Sequence, residues 1–247
     1  MAKQKKYAAY CGTSNIADEM IASAKSLYAN SDVDKIFFIV EADIDGLPDF
    51  IECINVSDQT LFPPDGPNMN SQYTYMAMMR SALCKVLPDY VHKVFSLDSD
   101  LFAVRDCSGV WDLPIDDCYY SSSPEWHRSK NGLVYCNHGV VYYNLDKMRT
   151  GKADEIIEVL NRHYFRWVEQ DVGNYLCQGF IHEMPAEYNA NHWTIKDFFS
   201  LPVDSQVKTA RIIHYAGEKR DKWINGEISR KWHEMSWEEA IEQHNNR

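Results

Sequence analysis

Asp98 and Asp100 stand two residues apart at the end of the apolar run Phe95-Ser96-Leu97. In extended backbone, side chains at i and i+2 point the same way, so both carboxylates can converge on one hard cation. Magnesium and manganese favour one or two carboxylates together with phosphate oxygens of a substrate. An acidic pair at a strand end, taken alone, is more often a solvated cap. A second feature shifts the balance, because Ile212-Ile213-His214 ends another apolar run on a histidine. An imidazole nitrogen beside two carboxylates makes a mixed O/N donor set that suits Mn²⁺. His214 alone would be read as a hydrogen-bonded structural residue. Gly217 follows it and allows close backbone approach. Lys219, Arg220 and Lys222 add positive charge of the kind that meets a diphosphate, although Glu218 to Asp221 also reads as a solvated charged turn.

These residues need strands and helices to hold them. Tyr7 to Tyr10 reads as a strand, and Ile16 to Tyr28 as a helix with Ile16, Met20, Ile21, Ala24 and Leu27 along one stripe. Lys35 to Val40 is a buried strand and Ile54 to Val56 a short third one. Leu61 to Asn70, with three prolines and a glycine, is a loop. Gln72 to Val86 is helical up to Pro88, and Lys93 to Leu97 is the next strand. Further on, Leu133 to Tyr135 and Val140 to Tyr143 flank an expected turn at Asn137-His138-Gly139. Ala153 to Trp167 and Asp171 to Cys177 read as helices, Ile181 to Met184 and Arg211 to His214 as strands, and Ser236 to His244 as a terminal helix capped by Ser236.

This alternation of strands and helices is that of an α/β, Rossmann-like domain with a mostly parallel mixed sheet and helices on both faces. Ligands of such sheets bind beyond the carboxyl ends of the strands. That rule singles out the turn after Tyr10 and the residues after Leu97. Cys11-Gly12-Thr13-Ser14-Asn15 lacks the glycine spacing of a dinucleotide fingerprint, which disfavours a Rossmann dehydrogenase.

Composition narrows the class. With 247 residues and 45% apolar content the chain can form one medium domain with a sizeable core. A net charge of −11 argues against a general nucleic-acid binder, which carries a basic face. The seven cysteines are scattered without a Cys-x-x-Cys pair, so no structural zinc site is expected and buried thiols in a reducing, cytoplasmic setting are. No apolar stretch is long enough to span a membrane.

Leu97-Asp98-Ser99-Asp100, Asn137-His138-Gly139-Val140, Glu169-Gln170-Asp171-Val172-Gly173-Asn174 and His214-Tyr215-Ala216-Gly217 occur together in that order. In this, and in the spacing from Arg80 through Leu87-Pro88 to the aspartate pair, the chain resembles glycosyltransferase family 8 from about Tyr7 to Trp223. The resemblance implies one GT-A domain over 1–247. Its nucleotide-binding half would run over about 7–106 and its acceptor and metal-completing half over about 107–224, with a C-terminal helix over about 236–244. It implies a UDP-sugar donor (glucose or galactose), Mn²⁺ or Mg²⁺, retention of anomeric configuration, and a hydroxyl acceptor such as a glycan. By motif, Asp98, Asp100 and His214 would be the metal ligands. Thr13 and Asn15 would hold the nucleoside, and Arg80, Ser99, Asn137 and Gly139 would contact the donor. Gly217 with Lys219 or Lys222 would meet the diphosphate. Gln170 would face the reacting sugar, with Asp171 beside it. The chain departs from the pattern in having no acid in the first turn, His138 between Asn137 and Gly139, Glu169 in place of an aspartate, and Lys222 one residue further out.

Gln170 is a poor nucleophile, so front-face attack is expected, with the departing phosphate taking the acceptor proton. Asp171 or Glu169 as a transient nucleophile is the alternative. Ser121 to Lys130 and Asn189 to Phe199, aromatic and polar, are expected to face the acceptor. Two other functions share these residues. A nucleotidyltransferase or phosphohydrolase would use the same aspartates without explaining His214. A nucleotide-sugar binding protein would bind without turnover.

Overall fold

The computed structural model describes residues 5–69, 71, 73–191, 193–194 and 210–216. The expected terminal helix over 236–244 lies outside them, as do Gly217, Lys219 and Lys222. The strands are β1 (Tyr7–Cys11), β2 (Lys35–Val40), β3 (Ile51–Asn55), β4 (Lys93–Leu97), β5 (Leu101–Ala103), β6 (Tyr120–Pro124), β7 (Cys136–Asn144), β8 (Ile181–Glu183) and β9 (Ile212–His214). The helices are α1 (Ala17–Asn30), α2 (Tyr75–Met79), α3 (Leu83–Val86), α4 (Leu145–Lys147), α5 (Ala153–Arg162) and α6 (Val168–Leu176).

Seven strands form one sheet in the order β3-β2-β1-β4-β7-β6-β8, and β5 pairs with β9 in a separate ribbon. The sheet is mixed. β3, β2, β1 and β4 run parallel, β7 is antiparallel to β4 and β6, and β8 is parallel to β6. Strands buried on both faces read as continuous apolar runs, as Lys35–Val40 does. Met20, Ala24 and Leu27 of α1 pack on Ala8, Tyr10, Ile36 and Phe38 on one face. The opposite face is covered by α2, α3, α5 and α6 over Ala9, Phe37, Ile39 and Val141. Helices therefore lie on both faces of a mostly parallel sheet, as expected. No helix among the described residues is long and apolar enough to cross a membrane.

Five local expectations change. Asn137-His138-Gly139 is not a turn between two strands but lies inside the continuous β7. Pairing with β6 runs from Ser122↔Val141 to Pro124↔Cys136, so the three residues are accommodated as a bulge. A bulge re-aims side chains without ending the strand, and Ser122 Oγ ties it down on Val140 O at 2.9 Å. The helix expected to reach Trp167 ends at Arg162, where His163 is extended. Buried Asn68 donates to the carbonyls of Leu160 and His163 at 2.5 and 2.8 Å, satisfying the helix end. The next helix starts at Val168 rather than Asp171, and the third strand at Ile51 rather than Ile54. The 72–86 helix tightens into a 3₁₀ turn at Arg80–Ala82.

Candidate active site

Three strand ends converge on one point. β4 delivers Asp98, whose N–H donates to Gly139 O at 2.8 Å. β5 begins directly after Asp100, and its pairing of Leu101 with His214 brings the histidine alongside. Tyr215 N then donates to Asp100 O at 2.9 Å. One donor atom from each of Asp98, Asp100 and His214 lies within 4.8 Å of the others. His214 Nε2 is 3.3 Å from Asp100 Oδ1 and 3.6 Å from Asp98 Oδ2. The histidine side chain is 2% exposed and the aspartates 34% and 28%, so the cluster is walled behind the imidazole and open in front of the carboxylates. A methyl group at position 139 would lie 2.1 Å from His214 Cε1 and 2.8 Å from Asp98 Oδ2, so only glycine lets the bulge approach this closely. Two carboxylates and one imidazole, with an open side, fit a hard divalent ion.

The cluster forms part of the wall of a cavity of about 680 Å³. Arg80, Asn137, Gly139 and Gln170 share that wall. The model of Glycosyl transferase family 8 matches residues 1–223. The chain belongs to glycosyltransferase family 8. It is a glycosyltransferase with a single GT-A domain. The galactosyltransferase LgtC, solved in complex with donor and acceptor sugar analogs, is similar at a TM-score of 0.61 and 20% identity, over 86% of this chain and 87% of that one. The glycosyltransferase GlyE of Streptococcus pneumoniae TIGR4 is similar at a TM-score of 0.67 and 17% identity, over 98% of this chain and 63% of that one. Mouse xyloside xylosyltransferase 1 is similar at 0.59 and 12% identity, over 87% of this chain and 98% of that one. At these identities the likeness is one of fold. A search of curated proteins gives no match.

Within this glycosyltransferase the expected residues divide. Thr13 and Asn15 sit in the turn after β1 and are not in the cavity wall, nor is Ser99. Asp171 also stays out of the wall. Its carboxylate accepts from Tyr135 Oη at 2.5 Å and from Trp167 N at 3.0 Å, tying down the start of α6. Val168 begins that helix with φ 25°, a strained value for a buried β-branched residue. Gln170, two residues on, is held at both ends of its amide. Oε1 accepts from His138 N at 2.9 Å, and Nε2 donates to Glu125 Oε1 and Tyr135 Oη at 3.2 Å each.

Arg80 bridges two carboxylates. Nη1 donates to Asp98 and to His138 O, and Nη2 donates to Glu169 Oε1 at 2.6 Å. Burial opposes the guanidinium charge, but Asp98 and Glu169 outweigh it and hold its pKa above the ordinary value. Burial also pushes the Glu169 carboxyl up to about 7 against the pull of Arg80. His138 is driven down to about 3 by burial and by Arg80, so it is a neutral core residue. Burial disfavours a charge on His214, yet Asp100 and Asp98 raise its pKa overall.

Sequence reasoning missed Glu125, Asn189 and Asn191. Ser121 to Pro124, expected to face the acceptor, is the buried strand β6, and Glu125 follows it at 4% exposure in the cavity wall. Asn189 and Asn191, expected in an acceptor loop, are fully buried behind His214. Their polarity suggested a surface. The signal was their spacing, Asn-x-Asn next to the apolar Tyr188 and Ala190.

Proposed function

We propose that this enzyme transfers a hexose, glucose or galactose, from a UDP-sugar to a hydroxyl of a glycan, with retention of configuration and with Mn²⁺ (or Mg²⁺) held by Asp98, Asp100 and His214. The observation that carries this reading is the donor cluster within 4.8 Å, at the wall of the cavity, in a family 8 chain. LgtC, solved with donor and acceptor sugar analogs, supports a two-substrate cavity. Trp126 and Trp193, 51% and 36% exposed, and His127, whose ring is tilted against Trp193 with centroids 4.8 Å apart, suit a sugar face. All seven cysteines are free thiols, which supports a cytoplasmic setting.

When bound, the ion neutralises charge that develops on a nucleoside diphosphate leaving group. Asn137 and Gly139 contact the donor sugar side, and Arg80 orients Asp98 while screening the pair of aspartates. By the family's motifs we assign Thr13 and Asn15 to the nucleoside and Ser99 to the donor, although none of the three is in the described cavity wall. Gly217 with Lys219 or Lys222, outside the described residues, is assigned to the diphosphate. Gln170 directs its amide to the reacting centre, and Asp171 acts behind it by fixing the start of α6. Glu169 is paired with Arg80 and Asp171 with Tyr135 and Trp167. That argues against either as a covalent nucleophile and for front-face attack. A panel of nucleotide sugars with Mn²⁺, scored by release of the nucleoside diphosphate, tests the reading. UDP released only from a UDP-hexose is the expected result. Pyrophosphate formed from UTP and a sugar phosphate, or binding of UDP with no turnover of any donor, would overturn it.

A further inference from the structure

The ion cluster is backed by a line of buried amides whose direction can be read atom by atom. Glu125 can only accept. Its Oε1 takes a hydrogen bond from Asn137 Nδ2 at 2.9 Å, so Asn137 turns its Oδ1 the other way. That oxygen accepts from Gly139 N and from Asn189 Nδ2, each at 3.0 Å. Asn189 is thereby oriented with its Oδ1 toward His214, where it lies 2.8 Å from Nδ1. A second constraint arrives from the opposite side with the same sense. Asn191 Oδ1 accepts from Trp193 N at 2.7 Å and Thr194 N at 3.1 Å, so its Nδ2 must point inward. It donates to Asn189 Oδ1 at 2.8 Å and stands 3.3 Å from His214 Nδ1. The shorter contact gives Nδ1 an acceptor at ordinary hydrogen-bond distance, while Nε2 faces Asp100 Oδ1 at 3.3 Å, so a cation between Nε2 and the carboxylates leaves the proton on Nδ1.

We propose that Asn189 is a positioning residue for the ion site: it holds His214 as the Nδ1–H tautomer and so turns the lone pair of Nε2 toward Asp98 and Asp100. A histidine that binds a metal through one nitrogen commonly donates from the other to a fixed acceptor, and loss of that acceptor costs ten- to a hundredfold in metal affinity. Here the acceptor is an amide oxygen whose orientation is set by Glu125 through Asn137 on one side and by two backbone N–H groups through Asn191 on the other. Asn189 is fully buried and does not line the cavity, so it acts through His214 rather than on substrate. The inference rests on reading His214 as an ion ligand.

The test separates the two. In ion-free protein the Asp100 carboxylate, 3.3 Å from Nε2, competes for the same proton. The His214 tautomer is therefore read by long-range ¹H–¹⁵N correlation on ¹⁵N-histidine protein with Mg²⁺ added. The wild type is expected as Nδ1–H, and an Nε2–H wild type overturns the proposal without any variant. Asn189→Ala is expected to mix the tautomers and to raise the Mn²⁺ dissociation constant by at least tenfold, measured by electron paramagnetic resonance without donor. Asn189→Asp, which still offers an acceptor to Nδ1, is expected to restore both and serves if the alanine variant does not fold. Unchanged tautomer and affinity in folded Asn189→Ala would sink the idea, as would an aspartate variant that behaves like the alanine. A wild type that binds no divalent ion would instead refute the ion-site reading itself.

Discussion

His214 presents Nε2 to Asp100 Oδ1 at 3.3 Å across the β5–β9 ribbon, with Asp98 Oδ2 at 3.6 Å on the same side. Three groups that attract a cation are thus brought together by main-chain pairing of β5 with β9. Transfer is therefore expected to stop in EDTA and to return with Mn²⁺. Asp100→Asn should raise the ion's dissociation constant while leaving thermal stability near that of the parent, because Asp100 is partly exposed at a strand end. Activity that survived thorough metal stripping would refute this.

Gly139 sets how closely β7 approaches the cluster. Gly139→Ala would place a carbon 2.1 Å from His214 Cε1. The neighbour is a ring packed in a fully buried site, so it cannot give way cheaply. The variant is expected to bind Mn²⁺ at least tenfold more weakly, read by titration. Wild-type affinity would mean that the bulge can retreat.

Arg80 is the side-chain partner of the Glu169 carboxylate, whose second oxygen is buried without a hydrogen bond. Above pH 7, where Glu169 is ionised, Arg80→Met would leave that acid uncompensated, a loss of about 3–5 kcal/mol when a buried pair is broken from one side. The melting temperature should fall by roughly 10 °C. Arg80→Met combined with Glu169→Met should recover part of that fall, since it removes both charges. A double variant less stable than the single one would contradict the pairing.

Glu169 also gives a pH dependence with a definite sign. Burial raises its folded-state pKa to about 7, above the unfolded value, so the folded protein keeps a proton that the unfolded chain releases. Its contribution is most favourable below the unfolded pKa and declines as pH rises toward about 7. Glu169→Gln removes the titration. Relative to that variant, the wild type should lose stability between about pH 4.5 and 7, on the order of 3 kcal/mol, and change little above. Parallel stability curves for the two proteins would show that Glu169 stays ionised throughout.

Much of the framework was legible in the sequence, for reasons that are local. β1, β2 and β4 are apolar runs bounded by breaks, and the Asp98–Asp100 pair follows β4 directly. What joins His214 to that pair was not legible. β5 is three residues, Leu101–Ala103, with no alternation or turn signal to mark it, and its partner β9 lies far along the chain. Asn137-His138-Gly139 carries the residue types of a turn, and only pairing with both β4 and β6 makes it a bulge. Glu125, Asn189 and Asn191 look like surface residues because polarity in a sequence does not reveal a buried partner. Their burial is a property of the hydrogen-bond line they complete.

The stereochemical outcome is the most discriminating prediction. A retaining enzyme that works through a covalent intermediate needs a carboxylate free to attack the far face of the sugar. At the α6 wall the side chain is Gln170, an amide held by His138 N, Glu125 and Tyr135. Glu169 is turned into the Arg80 pair, and Asp171 is occupied by Tyr135 and Trp167. Glu125, the remaining buried acid of the wall, already accepts from two amides and lies 3.4 Å from Arg128. An α-linked UDP-hexose is accordingly expected to give an α-linked product without a trapped glycosyl-enzyme. Gln170→Ala should slow transfer by on the order of 10²- to 10³-fold, the scale for losing one oriented dipole beside developing charge. The anomeric proton in the product's NMR spectrum decides the main point. A β-linked product from that donor would mean inversion, and a mass shift of one hexose on Glu125 during turnover would mean a double displacement that the held carboxylates argue against.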